Sequence, residues 1–253
     1  MGRGYGETAT NSNDDLALVY KFNNAGTLQW ARQLNETNDD CYARSVTTIG
    51  TDIYVTHDSD DDGETVVTKL DAAGTVKWQR RTDSGDDSCI ARTANGNLLV
   101  ITEADYNEID DNAIKIFQLT PSGETVYKRW LSATSNDDTE LRAGRSLAVD
   151  SHSFYIGAWF DTDEYDSALA VRLPIDGSGT GEYGSFSYVD VNAETSNWTG
   201  DNLDNSNYSI NAINIEGENN YAGVLAVAPT VSTATTVTVG TGDFYVNSWY
   251  PCL

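Results

Sequence analysis

The stretch "TVVTKLDAAGTVKW", residues 65–78, decides the fold, because a near-copy of it, "ALVYKFNNAGTLQW", stands at residues 17–30. Each copy places an apolar, β-branched run before a glycine turn, and a Trp follows four residues after that glycine. Two such runs joined by a short turn with Gly are typical of a β-hairpin. Because repetition at a fixed period is the signature of a repeat architecture, the chain is expected to consist of repeated β units.

The hairpin pattern occurs four times along the chain. The turn glycines lie 48, 49 and 54 residues apart, at Gly26, Gly74, Gly123 and Gly177. The aromatic residue after the turn recurs as Trp30, Trp78 and Tyr127, and weakly as Tyr183. One full unit contains four short β-like runs, which read "ARSVTT", "DIYVTH", "TVVTKL" and "TVKWQR". Four strands in about 40–50 residues is the period of a propeller blade.

The sequence therefore predicts an all-β fold, a β-propeller of about four four-stranded antiparallel blades, with a C-terminal β tail. The chain begins with a third and a fourth strand, so C-terminal strands are expected to complete the N-terminal blade. The predicted boundaries are 1–227 for the propeller and 228–253 for the tail, with repeat units at 16–38, 42–88, 89–139 and 140–190 and closing strands at 208–227. An alternative stays open, since Met1-Gly2 aligns with Ile156-Gly157 as if the chain were part of a larger ring completed by a partner chain.

Two columns of the repeat are expected to hold the blades together. The aromatic column is expected to pack between adjacent blades, and its members are Trp30, Trp78 and Tyr127. A column of arginines on the predicted innermost strands consists of Arg44, Arg92 and Arg145. These arginines are expected to pair with acidic neighbours such as Asp40, Asp87 or Asp138, which would tie blade to blade. The alternative is a cationic throat for an anionic ligand.

The charge balance argues against several classes of partner. Lys and Arg total 15 against 39 Asp and Glu, which gives a formal net charge of -24. A polyanion would be repelled, so no nucleic-acid partner is expected, and an anionic membrane surface is disfavoured for the same reason. No window approaches the roughly 18 apolar residues of a membrane helix, so no membrane insertion is expected. The start, "MGRGYGETAT", lacks the apolar core of a signal peptide.

Acidic clusters are the best candidates for a metal site. "HDSDDDGE" opens like a calcium loop, because aspartates stand at alternate positions before Gly63, namely Asp58, Asp60 and Asp62. A second cluster lies in the equivalent hairpin loop and offers Asp161, Asp163 and Asp166. Neither full calcium motif is present, since Lys69 stands at the twelfth position and Val66 at the ninth. Calcium is therefore the expected cofactor if there is one, and solvated acidic turns that protect sheet edges are the alternative.

Nothing in the sequence predicts catalysis. The two histidines, His57 and His152, fall at non-equivalent positions in different units. The motifs of nucleophile elbows, redox cysteine pairs and zinc proteases do not occur. Cys41 and Cys89 are expected to be reduced and structural, because equivalent positions on neighbouring blades lie too far apart for a disulfide. We therefore expect a protein that is not an enzyme.

Three segments carry a resemblance to a known family. They read "DLALVYK" (15–21), "DSALAVR" (166–172) and "AVDSHSFYIG" (148–157). The chain resembles the bacterial and phage β-propeller repeat family, the SBBP-like repeats, from residue 14 to about residue 180. The resemblance implies a propeller fold, and it implies a secreted bacterial protein or a virion protein such as those of marine tailed phages. The third unit departs from the pattern, with Gln118 in place of Lys and Tyr127 in place of Trp.

The resemblance leads us to expect a non-catalytic structural virion protein, a tail fibre or decoration component located in the virion. Expected partners are copies of the chain or other virion proteins, because an unpaired C-terminal β segment invites a neighbour. A surface glycan of the host is a further expected partner, and the candidate contacts are Trp159, Trp198 and Tyr165. The alternative is a secreted bacterial adhesin or filament subunit at the cell surface, for which an upstream export signal would be needed.

Overall fold

The computed structural model describes residues 2–5, 15–35, 41–59, 64–81, 85–103, 113–133, 139–162, 165–190 and 209–212. These residues belong to one compact unit, which spans residues 1–212. The predicted closing strands beyond Ala212 and the predicted β tail, 228–253, lie outside the described residues. In the part of the chain that is described, no helix is long and apolar enough to cross a membrane.

Every regular element of the described residues is a β-strand. In chain order the strands are β1 (Gly2–Tyr5), β2 (Asp15–Phe22), β3 (Leu28–Asn35), β4 (Cys41–Ile49), β5 (Asp52–Ser59), β6 (Glu64–Leu70), β7 (Val76–Arg81), β8 (Asp86–Arg92), β9 (Leu98–Glu103), β10 (Ala113–Leu119), β11 (Thr125–Ala133), β12 (Thr139–Val149), β13 (Ser153–Thr162), β14 (Tyr165–Pro174), β15 (Gly181–Tyr183), β16 (Phe186–Asp190) and β17 (Ser209–Ala212). They form four antiparallel sheets. The prediction of an all-β fold built from antiparallel sheets is confirmed.

The second sheet contains one complete repeat unit. Its strand order is β4-β5-β6-β7, so each strand pairs with the next one along the chain. The four runs of the repeat unit quoted above are these four strands. The turn between β6 and β7 is closed by the N–H of Gly74, which donates to the carbonyl of Asp71 at 2.9 Å. Gly74 has a φ of +76°, in the left-handed region that favours glycine.

The third and fourth sheets share strands differently from the predicted units. The third sheet has the order β15-β16-β11-β10-β9-β8, and the fourth sheet has only β12-β13-β14. The strand β16 therefore pairs with β11, β15 pairs with β16, and neither provides a fourth strand for the fourth sheet, which precedes them in the chain. The reason is burial, because β16 places Tyr188 in the apolar core between these two sheets. An ion pair between Arg129 and Asp190, at 3.1 Å, joins the same two strands.

The first sheet has the order β1-β2-β3-β17. The sequence predicts that residues 208–227 form the first two strands of this sheet and lie beside β2. The described part of that segment, β17, instead pairs with β3 at the opposite edge, where Ile210 faces Leu34. The position beside β2 is taken by β1, with Gly2 opposite Leu18.

The core consists of three apolar clusters, each between two successive sheets. The cluster between the first and second sheets contains Ala17, Val19, Leu34, Cys41, Val55 and Leu70. The next contains Tyr54, Val67, Ile90, Leu98, Val100, Phe117 and Leu119. The largest joins the third sheet to the fourth and includes Leu99, Ile101, Ile114, Ile116, Phe154 and Ile156. The sheets thus stack in a row in chain order, and no closed ring is detected among the described residues.

Candidate functional site: the clamps between sheets

The junction between the first and second sheets is made by polar side chains as well as by the core. The ring of Trp30 lies over Gly74, 2.9 Å from the point where a β-carbon on that glycine would stand. The indole Nε1 of Trp30 and the Nζ of Lys21 both donate to the carbonyl of Ala72, at 3.0 and 2.6 Å. The Nε of Arg32 donates to the carbonyl of Gly74 at 2.8 Å. One turn of the second sheet is therefore held by three donors from the first.

The junction between the second and third sheets repeats this arrangement. The ring of Trp78 lies over Gly123, 3.1 Å from the corresponding point. The Nε1 of Trp78 and the Nζ of Lys69 donate to the carbonyl of Pro121, at 3.1 and 3.2 Å. The Nε of Arg80 donates to the carbonyl of Gly123 at 3.0 Å.

The junction between the third and fourth sheets keeps the geometry with different side chains. The ring of Tyr127 lies over Gly177, again at 2.9 Å. The hydroxyl of Tyr127 and the Nε2 of Gln118 donate to the carbonyl of Ile175, at 3.1 and 2.9 Å. The Nε of Arg129 donates to the carbonyl of Gly177 at 2.8 Å. Both departures from the repeat pattern, Tyr for Trp and Gln for Lys, preserve a donor at the same place.

We call each of these three arrangements a clamp. A clamp consists of an aromatic side chain, the arginine two residues after it and a polar side chain on the preceding strand, all acting on the turn of the next sheet. Each arginine also lies over its aromatic ring, at 5.4, 5.6 and 5.2 Å from the centroid, a cation–π contact. The residue under the aromatic ring must be glycine for two reasons. Its φ is positive, and a β-carbon at that position would meet the ring.

A buried carboxylate joins the second and third sheets closer to their first strands. Asp58 is fully buried and accepts hydrogen bonds from the Nε of Arg44, from Thr65 Oγ1 at 3.1 Å and from Ser88 Oγ at 3.0 Å. The backbone N–H of Asp87 also donates to it, at 3.1 Å. Arg44 spans the junction, because its Nη1 contacts the carboxylate of Asp87 at 3.0 Å. The pairing of Arg44 with Asp87, expected from the sequence, is present, and Asp58 is its unexpected second partner.

The strand register corrects the arginine column. Ser45, Cys89 and Ser146 occupy equivalent places, opposite Thr56, Ile101 and Gly157 of the second strands. The residues just before them are Arg44, Ser88 and Arg145, so Arg92 is not in this column. Arg92 pairs with Leu98 at the exposed end of β8, level with Thr48. The side chain of Arg145 lies outside the described residues.

The predicted metal ligands are only partly described. The carboxylate of Asp58 already accepts hydrogen bonds from Arg44, Thr65, Ser88 and the backbone N–H of Asp87. Asp161 and Asp166 lie opposite each other on β13 and β14, but their side chains are not described. Asp60, Asp62 and Asp163 lie outside the described residues. No group of three potential ligands is found in the described part of the chain. The calcium site stays a prediction.

The predicted glycan contacts are likewise described in part. Trp159 lies on β13 with 47% of its surface exposed, on the face of the fourth sheet that points away from the third. Tyr165 begins β14 and its side chain is not described, and Trp198 lies outside the described residues. Sequence reasoning missed Tyr155, which lies on the same exposed face at 39% exposure. Its alternation with the buried Phe154 and Ile156 was the available signal.

The two histidines lie in different sheets. His57 is buried in the second sheet, with its Nε2 3.1 Å from Thr68 Oγ1, and burial lowers its pKa from 6.5 to about 3. The ring is therefore neutral at physiological pH. His152 lies in an exposed turn of the fourth sheet, where its Nδ1 is 2.7 Å from Ser151 Oγ. The geometry does not bring the two together.

No protein-family model matches the chain, and no curated protein matches it.

Proposed function

We propose that this chain is a non-catalytic structural protein, a tail fibre or decoration component of a virion, whose four sheets are successive blades of a β-propeller. The observation that carries the proposal is the clamp, which occurs at all three junctions between successive sheets. Repeated polar residues that hold successive sheets together are suited to a rigid structural part.

The clamps support a structural role because their polar side chains bind the backbone of a neighbouring sheet. Each clamp uses an aromatic N–H or O–H, a guanidinium and a third donor on the carbonyls of a neighbouring turn. Hydrogen bonds from charged donors contribute about 1.5–3 kcal/mol each, so three clamps stiffen the stack considerably. The buried carboxylate of Asp58 is used in the same way, by Arg44 and Ser88. These residues hold sheets together and do not converge on a common cleft.

The propeller assignment is supported by the way the sheets meet. The first strands β4, β8 and β12 contact one another in succession. An apolar cluster fills each gap behind them. Successive sheets that meet through their first strands in this way are what a propeller arrangement requires. Class averages from electron microscopy test it, because a ring with a central channel would support the assignment and an open stack would refute it.

The virion assignment rests on the sequence resemblance together with the clamped architecture. Peptide mass spectrometry of the native particles that contain the chain is the direct test. Capsid, portal or tail peptides in fixed proportion to this chain would support a virion component. Envelope proteins without capsid proteins would overturn it and favour the secreted adhesin or filament subunit.

A further inference from the structure

The row of sheets ends in two faces that have the properties of an interface. We define the front face as Tyr20, Phe22 and the turn 23–27 of the first sheet. We define the back face as Tyr155, Trp159 and Arg172 of the fourth sheet. At every internal junction the equivalent of a front face packs on the equivalent of a back face.

The turn on the front face is built like those that the clamps hold. In turn 23–27 the N–H of Gly26 donates to the carbonyl of Asn23 at 2.9 Å, as Gly74 does to Asp71. The side chain of Asn23 accepts from the N–H groups of Ala25 and Thr27, at 3.0 and 2.8 Å. Gly26 has the same positive φ, +76°, as Gly74. The turn is therefore preformed for a clamp.

This turn lacks the aromatic ring that covers its equivalents. Gly74, Gly123 and Gly177 are buried under a ring, whereas Gly26 is exposed and no atom of the described residues lies within 4 Å of its β-carbon position. Phe22 shows the same difference, because it is 39% exposed. Its equivalents in the other three sheets are all buried, namely Leu70, Leu119 and Leu173.

The back face carries the equivalents of two side chains, Tyr54 and Lys69, that donate to the next turn at an internal junction. Tyr54 of the second sheet is buried and donates its hydroxyl to Pro121 of the third sheet at 3.4 Å. Its equivalent, Tyr155, is 39% exposed and donates instead to Asp150 of its own sheet at 2.9 Å. Arg172 stands in the place of Lys69, and its Nε donates to Ser153 Oγ at 2.9 Å, also within its own sheet.

The centre of the back face carries small side chains, so a second sheet can pack closely against it. Between the two aromatic side chains the strand register places Gly157 next to Ala170, and Trp159 next to Ala168. Small side chains let another sheet approach closely, since packed sheets lie about 10 Å apart. Exposed apolar surface of this kind marks an interaction site.

We propose that the back face of one copy binds the front face of a second copy, head to tail. Arg172 then donates to the carbonyl of Asn24, which corresponds to Ala72, and Tyr155 and Trp159 cover Phe22 and Gly26. The partner is a second copy because, among the residues that the structure describes, both faces of one chain are exposed. Such an interface is heterologous, so it builds either a closed ring of copies, which would be a larger propeller, or a filament, which would not be one. It assigns Trp159 to a protein contact in place of the expected glycan, and it holds whether or not the protein comes from a virion.

Blocked variants of the full chain test this pairing by sedimentation velocity over a range of concentrations. The wild type should associate, and Phe22→Glu or Trp159→Glu should each weaken association at least 10-fold. A mixture of the two variants should stop at a dimer, because each retains the face that the other lacks. The matched control is Val126→Glu, a site 49% exposed and away from both faces, which should associate like the wild type. A wild type that is monomeric throughout would overturn the proposal and indicate that the two faces are covered within one chain.

Disulfide trapping gives a second, independent measurement in a Cys252→Ser background. A copy with Asn24→Cys is mixed with a copy with Arg172→Cys and oxidised, and a covalent heterodimer is expected. Pairing Asn24→Cys with Val126→Cys should give at least 10-fold less product. Equal yields in the two mixtures would overturn the proposal. So would a double variant, Asn24→Cys with Arg172→Cys, that closes its disulfide within a single chain.

Discussion

The ring of Trp78 lies 3.1 Å from the point where a side chain on Gly123 would begin. This contact joins two sheets, and it explains why the turn and the aromatic residue recur together along the sequence. Gly26 provides the matched comparison, since it has a similar φ and no atom of the described residues lies within 4 Å of the same point.

We expect Gly123→Ala to destabilise the protein more than Gly26→Ala. Both substitutions put a side chain at positive φ, which costs about 1–2 kcal/mol. Only Gly123→Ala also forces the ring of Trp78 to move, and overpacking of this kind costs a further 1–3 kcal/mol or so. Urea denaturation at low chain concentration measures the difference, and equal losses of unfolding free energy would show that the ring contact does not contribute.

Trp78→Ala should lower the free energy of unfolding by about 3 kcal/mol, because it removes a packed ring and the hydrogen bond to Pro121. Trp159→Ala is the control, since that ring is largely exposed. It should change the unfolding free energy by no more than about 0.5 kcal/mol when the chain is dilute. Comparable losses from the two substitutions would contradict the clamp at the second junction.

Asp58→Ala should cost about 3–5 kcal/mol, because it leaves the partly buried guanidinium of Arg44 without its closest carboxylate. Replacing both partners, as Arg44→Met with Asp58→Leu, should restore part of that loss, because the buried carboxylate and the guanidinium are removed together and only the contact of Arg44 with the 31% exposed Asp87 is lost. Lys77→Met removes the exposed pair with Asp71 and should leave the thermal midpoint unchanged. A double variant no more stable than Asp58→Ala would count against this account.

Stability should fall with pH through the titration of His57. Its pKa is 6.5 in the unfolded chain and about 3 in the folded one, so the unfolded chain binds more protons between these values. The contribution of the neutral ring is fully present above pH 6.5, and it is lost as the pH falls towards about 3, at up to about 1.4 kcal/mol per pH unit. His57→Gln should make the urea midpoint less dependent on pH between 6.5 and about 4.5. This pH range lies above the pKa values of ordinary carboxyl groups. A pH profile of the urea midpoint that His57→Gln leaves unchanged would contradict this account.

The strands of the second sheet could be predicted because their signals are local. Alternating apolar residues, the turn glycine and the following Trp all lie within a few residues of one another, and they specify a hairpin without help from the rest of the chain. The pairing of residues 181–190 could not be predicted in this way. That segment adopts a strand wherever it lies, and the burial of Tyr188 against distant sheets decides which strand it joins.

The misplacement of Arg92 in the arginine column has a physical cause as well, and so does the strand position of Asp58. A bulge in β4 adds a residue between Ala43 and Ser45, and another in β8 lies between Asp86 and Cys89. A bulge shifts the strand register, and a comparison of the repeat units by sequence alone does not reveal that shift. The alternate aspartates suggested a loop, but β5 continues through Asp58 to Ser59. Asp58 is therefore a strand residue that faces the third sheet.

All three clamps point the same way along the chain, with donors on the earlier sheet and acceptors on the later one. The clamps are therefore equivalent to one another, because each earlier sheet offers donors where any later turn has its carbonyls. Unequal recombination within the gene that added or removed one hairpin would still leave a matched clamp at the new junction. The repeated hairpin thus makes the length of the array an adjustable trait, open to change in one genetic event without loss of a folded product.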